Sequence, residues 1–131
     1  MLPLLVTAAV ILHDGKLLIA RRKANVPYPL LWEFPGGKVE KNEDPKVCVV
    51  RELKEELDIV IEVDDVFDVV YYRYPEKPVL VLAYRCHWTG GTVRDLDVAE
   101  HRWVLPEHLA EFDFLPADLP LIERLSREIA G

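Results

Sequence analysis

The segment from Asp44 to Leu57 constrains the fold of this chain more than any other. Asp44 is a helix-capping residue, and Pro45 follows at the first helical position, where its missing N–H would have no partner anyway. Val47, Val50, Leu53 and Leu57 then recur at three- and four-residue spacing, which predicts an amphipathic helix over 45–57 with one buried stripe. Such a stripe needs a second layer to cover it, and the flanking sequence supplies strands. Residues 4–12 are apolar and β-branched, Asp14-Gly15 is a hairpin turn signal, and Lys16 to Arg21 is strand-like again. After the helix, 59–63, 66–74 and 79–87 read as strands, with Pro75 and Pro78 in the connection between the last two. Gly90-Gly91 marks a turn, 101–105 a short strand, and 119–129 a second amphipathic helix behind Asp118. The stretch 25–35 holds three prolines and no periodicity, so it reads as loop. Hairpin, helix, several strands and helix predict an α+β sheet covered by helices, in a single domain over 1–131.

Charge narrows the partners. Sixteen Lys and Arg against 23 Asp and Glu leave a net charge of −7. That balance argues against a nucleic-acid polymer, whose binders carry a basic footprint. It leaves room for a phosphorylated small molecule, provided metal cations supply the positive charge. The opening MLPLLVTAAVIL has no basic n-region, carries Pro3 early and meets no small-residue cleavage site, so it does not read as a signal peptide. It is also too short to span a bilayer. Cys48 and Cys86 lack CxxC or CxxH neighbours and predict two reduced, buried thiols. A cytoplasmic protein without a membrane partner is expected.

Chemistry concentrates on the first helix. At 3.6 residues per turn, Glu52, Glu55 and Glu56 share a sector of about 100°. Like charges so placed repel, which leaves two readings: a solvated acidic face, or a site for a hard divalent cation with oxygen ligands. Just upstream lies Phe34-Pro35-Gly36-Gly37-Lys38-Val39-Glu40, whose paired glycines let backbone approach the helix and expose carbonyls or amides to a ligand. From Gly37, five residues lead to Glu43, and seven more lead to Arg51-Glu52-Leu53-Lys54-Glu55-Glu56-Leu57-Asp58-Ile59.

This arrangement resembles the Nudix box: glycine, five residues, Glu, seven residues, then Arg-Glu-aliphatic-x-Glu-Glu-x-Gly-aliphatic. One position departs, since Asp58 stands where the family has glycine. Asp tolerates the left-handed conformation expected there at a cost of roughly 1 kcal/mol, so the departure touches the helix end and not the carboxylates. Arg21-Arg22, the run Leu31 to Glu40, and Glu100-His101-Arg102-Trp103 extend the similarity to the MutT-type subgroup of nucleoside triphosphate pyrophosphohydrolases, over about residues 5–125. The resemblance implies the Nudix fold, an α/β/α sandwich around a mixed β-sheet.

It also implies a reaction. Mg²⁺, for which Mn²⁺ can substitute, would be held by Glu52, Glu55, Glu56 and the Gly36 carbonyl, neutralising phosphate oxygens and orienting a water for in-line attack. Attack at the β-phosphorus would release nucleoside monophosphate and pyrophosphate. Glu55 and Glu100 are both candidates for the base, and Arg51 is expected to orient a box carboxylate, Glu43 or Glu55. Arg22 and Lys38 are expected to reach phosphates, while Trp32 and Phe34 would stack the nucleobase. Asp118 matches an asparagine of the oxidised-guanine sanitising enzymes. Ionised, it only accepts, which suits the exocyclic amine of cytosine or 5-methylcytosine; protonated, it can donate to an oxopurine; alternatively it merely caps the last helix. The expectation leans to nucleotide-pool sanitation acting on 8-oxo-dGTP, with (d)CTP or 5-methyl-dCTP pyrophosphohydrolysis as the alternative. A catalytically silent nucleotide-binding sensor is the rival from another class, and the retention of every box glutamate speaks against it.

Overall fold

In the computed structural model, which describes residues 2–129, alternate residues of the first strand, β1 (Leu4–His13), are buried on opposite faces of a sheet. Ala8 and Val10 enter one core, Ala9 and Ile11 the other. The next strand, β2 (Lys16–Arg21), divides likewise, with Leu17 and Ile19 on the first side and Leu18 on the second. Strands apolar on both faces have to be covered on both. Helix α1 (Pro45–Leu57) brings Val49, Leu53 and Leu57 to one face, and α2 (Leu119–Ile129) brings Leu121, Ile122 and Leu125 to the other. The result is an α/β/α sandwich.

The remaining strands are β3 (Trp32–Glu33), β4 (Val60–Arg73), β5 (Pro78–Gly90) and β6 (Glu100–Val104). They assemble in the order β3-β2-β1-β5-β4, with β6 also paired to β2. β1 and β5 run parallel and the other pairs antiparallel, so the sheet is mixed. The expected strands 59–63 and 66–74 are one strand, β4, whose register slips between Val63 and Asp65 and again between Val66 and Asp68. Bulges bend a strand without ending it, so the two segments stay in one continuous ladder. The proline-rich loop likewise contributes a two-residue strand, β3, zipped onto β2.

The buried stripe of α1 is rotated by about one residue from the one the spacing predicts. Val47 is 57% exposed, whereas Cys48 and Val49 are fully buried beside Leu53 and Leu57. Both ends of α1 behave as their residues demand. Asp44 accepts a hydrogen bond from the Lys46 N–H at 2.8 Å. Asp58 takes the left-handed conformation (φ 58°, ψ 35°) and donates its N–H to the Lys54 carbonyl at 3.1 Å. Its carboxylate pairs with Lys54 at 2.9 Å and Arg94 at 3.4 Å. Asp58→Gly therefore relieves the backbone but removes two exposed ion pairs, and the urea unfolding midpoint is expected to change little. Cys48 and Cys86 are free and buried, and among the described residues no helix is long and apolar enough to cross a membrane.

Candidate active site

The turn at Gly36-Gly37 joins the edge of the sheet to α1. Thr7 N–H donates to the Gly37 carbonyl and Ala9 N–H to the Pro35 carbonyl, both at 2.8 Å, so the turn is laid along β1. A Cβ on Gly36 would sit 2.1 Å from the Thr7 carbonyl oxygen, and one on Gly37 would sit 2.4 Å from the Glu52 carboxyl carbon. The first glycine thus lets backbone meet backbone, and the second lets a carboxylate press against the turn. Beneath them opens a cavity of about 660 Å³, whose walls include Gly36, Gly37, Lys38, Glu52 and Glu56 and also Glu33, Phe34, Ala117 and Asp118.

Of the carboxylates that line the cavity, Glu33, Glu52 and Glu56 lie near enough to feel one another's charge. Glu56 accepts the Gly36 N–H at 3.3 Å. Burial, with the negative charges of Glu33 and Glu52, pushes its carboxyl well above the usual range. Burial also raises Glu52 and Glu33, although Arg22 partly offsets the effect at Glu33. Buried carboxylates facing one another invite a cation. Among the described residues, no three His, Cys, Asp or Glu side chains converge tightly enough to cage an ion by themselves. Mg²⁺ does not require such a cage, because it is usually bound by one or two carboxylates together with substrate phosphates and water. Glu52, Glu56 and the Gly36 backbone are hard oxygen donors on one cavity wall, and they fit a divalent cation on those terms.

Arg51 organises the rest of the helix face. It grips Glu43 through two bonds of 2.7 and 3.0 Å, and its Nη1 donates to both Glu52 and Glu55 at 3.1 Å. Those bonds, with the Glu40 N–H, hold the Glu43 carboxyl down at about 2. Glu55 itself is turned outward, its side chain 57% exposed, and it does not line the cavity.

On another wall of the cavity, Asp118 is 5% exposed, and its Oδ2 accepts the Phe34 N–H at 3.0 Å. The carboxylate thus reaches across to a loop 84 residues away instead of capping its own helix. Burial first, and the nearby Glu33 second, push its carboxyl up to about 8. Phe34 lines the cavity as well and packs on Phe114, with ring centroids 5.6 Å apart. Arg22 lines the cavity but is already engaged on two sides. Its Nη1 donates to both Glu33 oxygens at 3.1 and 3.2 Å, and its Nε and Nη2 donate to the Pro27 carbonyl at 3.0 and 2.7 Å.

Besides Glu55, two expected site residues lie elsewhere. Trp32 is buried in the core, edge-on to Phe112 at 5.1 Å and flanked by the guanidinium groups of Arg21 and Arg102. It does not line the cavity, because successive residues of an extended strand point to opposite faces and Glu33 takes the cavity side. Glu100 lies on β6 opposite Arg21, pairing with Arg21 at 4.0 Å and Arg102 at 3.6 Å. The loop carboxylate that comes near the box is Asp97, which adds to the negative charge felt by Glu56. Its N–H donates to the Glu56 carbonyl at 3.1 Å, and Lys23 holds its carboxylate at 2.6 Å. Glu33 and Asp97 are the residues that sequence reasoning missed. The only signal for Glu33 was an acid between two aromatics in a proline-rich loop, and Asp97 was one of several acids in a polar stretch.

Comparison with known proteins places the chain among relatives of one family. The profile of the NUDIX domain matches residues 3–125. The chain is 37% identical over 121 residues to a CTP pyrophosphohydrolase of Escherichia coli (strain K12), covering 90% of this chain and 87% of that one. It is 30% identical over 115 residues to the 8-oxo-dGTP diphosphatase of the same organism, covering 88% and 89%. Among solved structures, the MutT protein of Methanosarcina mazei Go1 superposes with a TM-score of 0.86 at 29% identity, covering 96% of this chain and 95% of that one.

Proposed function

The chain belongs to the Nudix family, and from that premise we propose that it is a Mg²⁺-dependent nucleoside triphosphate pyrophosphohydrolase whose preferred substrate is 8-oxo-dGTP. Nudix hydrolases generally need a divalent metal, and bound here it would supply the positive charge that phosphate oxygens require in an acidic cavity. Glu52, Glu56 and the Gly36 carbonyl would hold it, with Mn²⁺ able to substitute. Lys38 lines the same cavity and would meet the phosphates. A water attacking the β-phosphorus has to lose a proton. Glu55, which Arg51 keeps beside Glu52 on the box helix, would take that proton once its exposed side chain turns from its outward position into the cavity. Glu100, by contrast, is held on β6 by Arg21 and Arg102.

The observation that carries the choice of base is the buried Asp118 carboxyl. Raised to about 8, it is mostly protonated at neutral pH, with Oδ2 engaged by the Phe34 N–H and a hydroxyl left to donate. A donor beside an acceptor reads an oxopurine edge, which offers a carbonyl acceptor; an ionised Asp118 would instead accept from the exocyclic amine of cytosine. The second reading, (d)CTP or 5-methyl-dCTP, is favoured by the similarity to the CTP pyrophosphohydrolase.

The test is kcat/KM for 8-oxo-dGTP and CTP as a function of pH, with ADP-ribose alongside as a substrate that should be ignored. Deprotonation on passing through about 8 removes the donor. Between pH 7 and 9, the purine value is expected to fall by about tenfold relative to its plateau while the cytidine value rises. Asp118→Asn keeps a donor at every pH, so its purine profile should be flat over that interval. A pH-independent preference in the unaltered protein would remove Asp118 from base choice, and nucleotide binding without pyrophosphate release would favour the sensor.

A further inference from the structure

We infer that Tyr28 and Glu76 form a clasp across the mouth of the cavity that holds the nucleoside half of the substrate, making Tyr28 a specificity-determining residue for nucleotides over inorganic phosphates. The inference rests on the pyrophosphohydrolase reading above and deepens it. Tyr28 belongs to the loop between β2 and β3, and Glu76 to the turn between β4 and β5, and both line the cavity. The two loops are 48 residues apart in sequence, and the Tyr28 hydroxyl donates across the gap to both Glu76 oxygens, at 2.9 and 3.2 Å. The Tyr28 ring also packs on that of Tyr74, with centroids 4.9 Å apart.

The loop is built to place this one side chain. Tyr28 lies between Pro27 and Pro29 in the left-handed conformation (φ 54°), which disfavours a residue bearing a Cβ. Arg22 holds the Pro27 carbonyl on one side and the Glu33 carboxylate on the other, so the same guanidinium positions the clasp and a cavity wall. On the opposite loop, the Tyr74 hydroxyl accepts the Ala117 N–H at 3.1 Å, one residue from Asp118. Both halves of the clasp are therefore braced against the cavity wall that carries Phe34 and Asp118. The glycine turn and box carboxylates take no part in these contacts. An interaction so placed acts on nucleoside binding and leaves the phosphate chemistry alone.

Tyr28→Phe removes the hydroxyl and keeps the ring, Glu76→Ala removes the acceptor, and Glu76→Gln keeps one. Steady-state kinetics on 8-oxo-dGTP and CTP with Mg²⁺ should show KM raised by up to about fivefold by each of the first two, with kcat unchanged. Losing the one hydrogen bond that keeps the loops together lowers the fraction of free protein ready to bind. The double variant Tyr28→Phe/Glu76→Ala should be no worse than either single one, since both break the same bond. Glu76→Gln should restore KM, and the inhibition constant of pyrophosphate should be the same in every variant. Unchanged KM in the single variants, additive losses, or an equal weakening of pyrophosphate would each overturn the clasp alone. Absence of hydrolysis of any nucleotide by the unaltered protein would overturn the pyrophosphohydrolase reading itself.

Discussion

Glu56→Gln is expected to abolish most turnover and, in metal-free buffer, to raise the melting temperature. The two effects share one cause. Glu56 places a carboxyl against the Gly36 N–H among the negative charges of Glu33 and Glu52, where its pKa stands well above its ordinary 4.5. A carboxyl whose folded pKa is raised contributes stability that is intact below its unfolded pKa and is lost as pH rises through the folded one. The unaltered protein in chelator should therefore melt at a lower temperature at pH 8 than at pH 5, and Glu56→Gln should flatten that decline. Glutamine keeps an oxygen for the Gly36 N–H and carries no charge, so a gain of about 1 kcal/mol near pH 8 is expected, or a few degrees in Tm. Adding Mg²⁺ should raise Tm in the unaltered protein and much less in the variant, because a ligand stabilises only the state it binds. Losing a metal-holding carboxylate removes several kcal/mol of charge stabilisation, so kcat should fall by roughly a thousandfold. Near-normal turnover at saturating Mg²⁺ would sink the assignment of Glu56 to the metal.

The second large effect separates the two glycines of the turn. Alanine at Gly36 would drive its methyl to 2.1 Å from the Thr7 carbonyl oxygen, a backbone atom in the middle of the sheet. The turn has to lift off β1, taking with it the bonds that Thr7 and Ala9 donate to Gly37 and Pro35. A loss of about 3 kcal/mol or more is expected, as for other overpacking that moves backbone. Alanine at Gly37 meets the end of a flexible side chain, since the three nearest atoms, at 2.4 to 2.7 Å, all belong to the Glu52 carboxylate. Glu52 can swing away, so Gly37→Ala should keep most of its stability and instead lose activity, by about tenfold to a hundredfold, with a higher Mg²⁺ requirement. Urea midpoints and Mg²⁺ titrations of kcat on the two variants settle the contrast. Equal destabilisation of both, with unchanged metal dependence, would mean that Gly37 does not shape the carboxylate site.

Much of this protein can be read directly from local sequence. Asp44 and Pro45 announce the start of α1, and Asp58 closes it in the conformation a glycine would take, because capping depends on residues within one turn of each other. The box spacing brings Glu52 and Glu56 beneath Gly36-Gly37, since helical periodicity and a short connection leave few alternatives. Arg51 reaches Glu43 and Glu55 for the same reason. What lines the rest of the cavity depends on pairings between distant segments. The parallel register of β1 with β5 and the slips in β4 decide where the loop at Tyr74 to Lys77 arrives. The pleat of a two-residue strand turns Glu33 inward and Trp32 into the core, and a backbone amide 84 residues away holds Asp118 at the cavity wall. Sequence alone determined the helix and its carboxylates because their geometry is set over a few residues. The raised pKa of Asp118, the engagement of Arg22 and the meeting of Tyr28 with Glu76 were decided by tertiary structure, since burial and long-range contacts exist only once the sheet has formed.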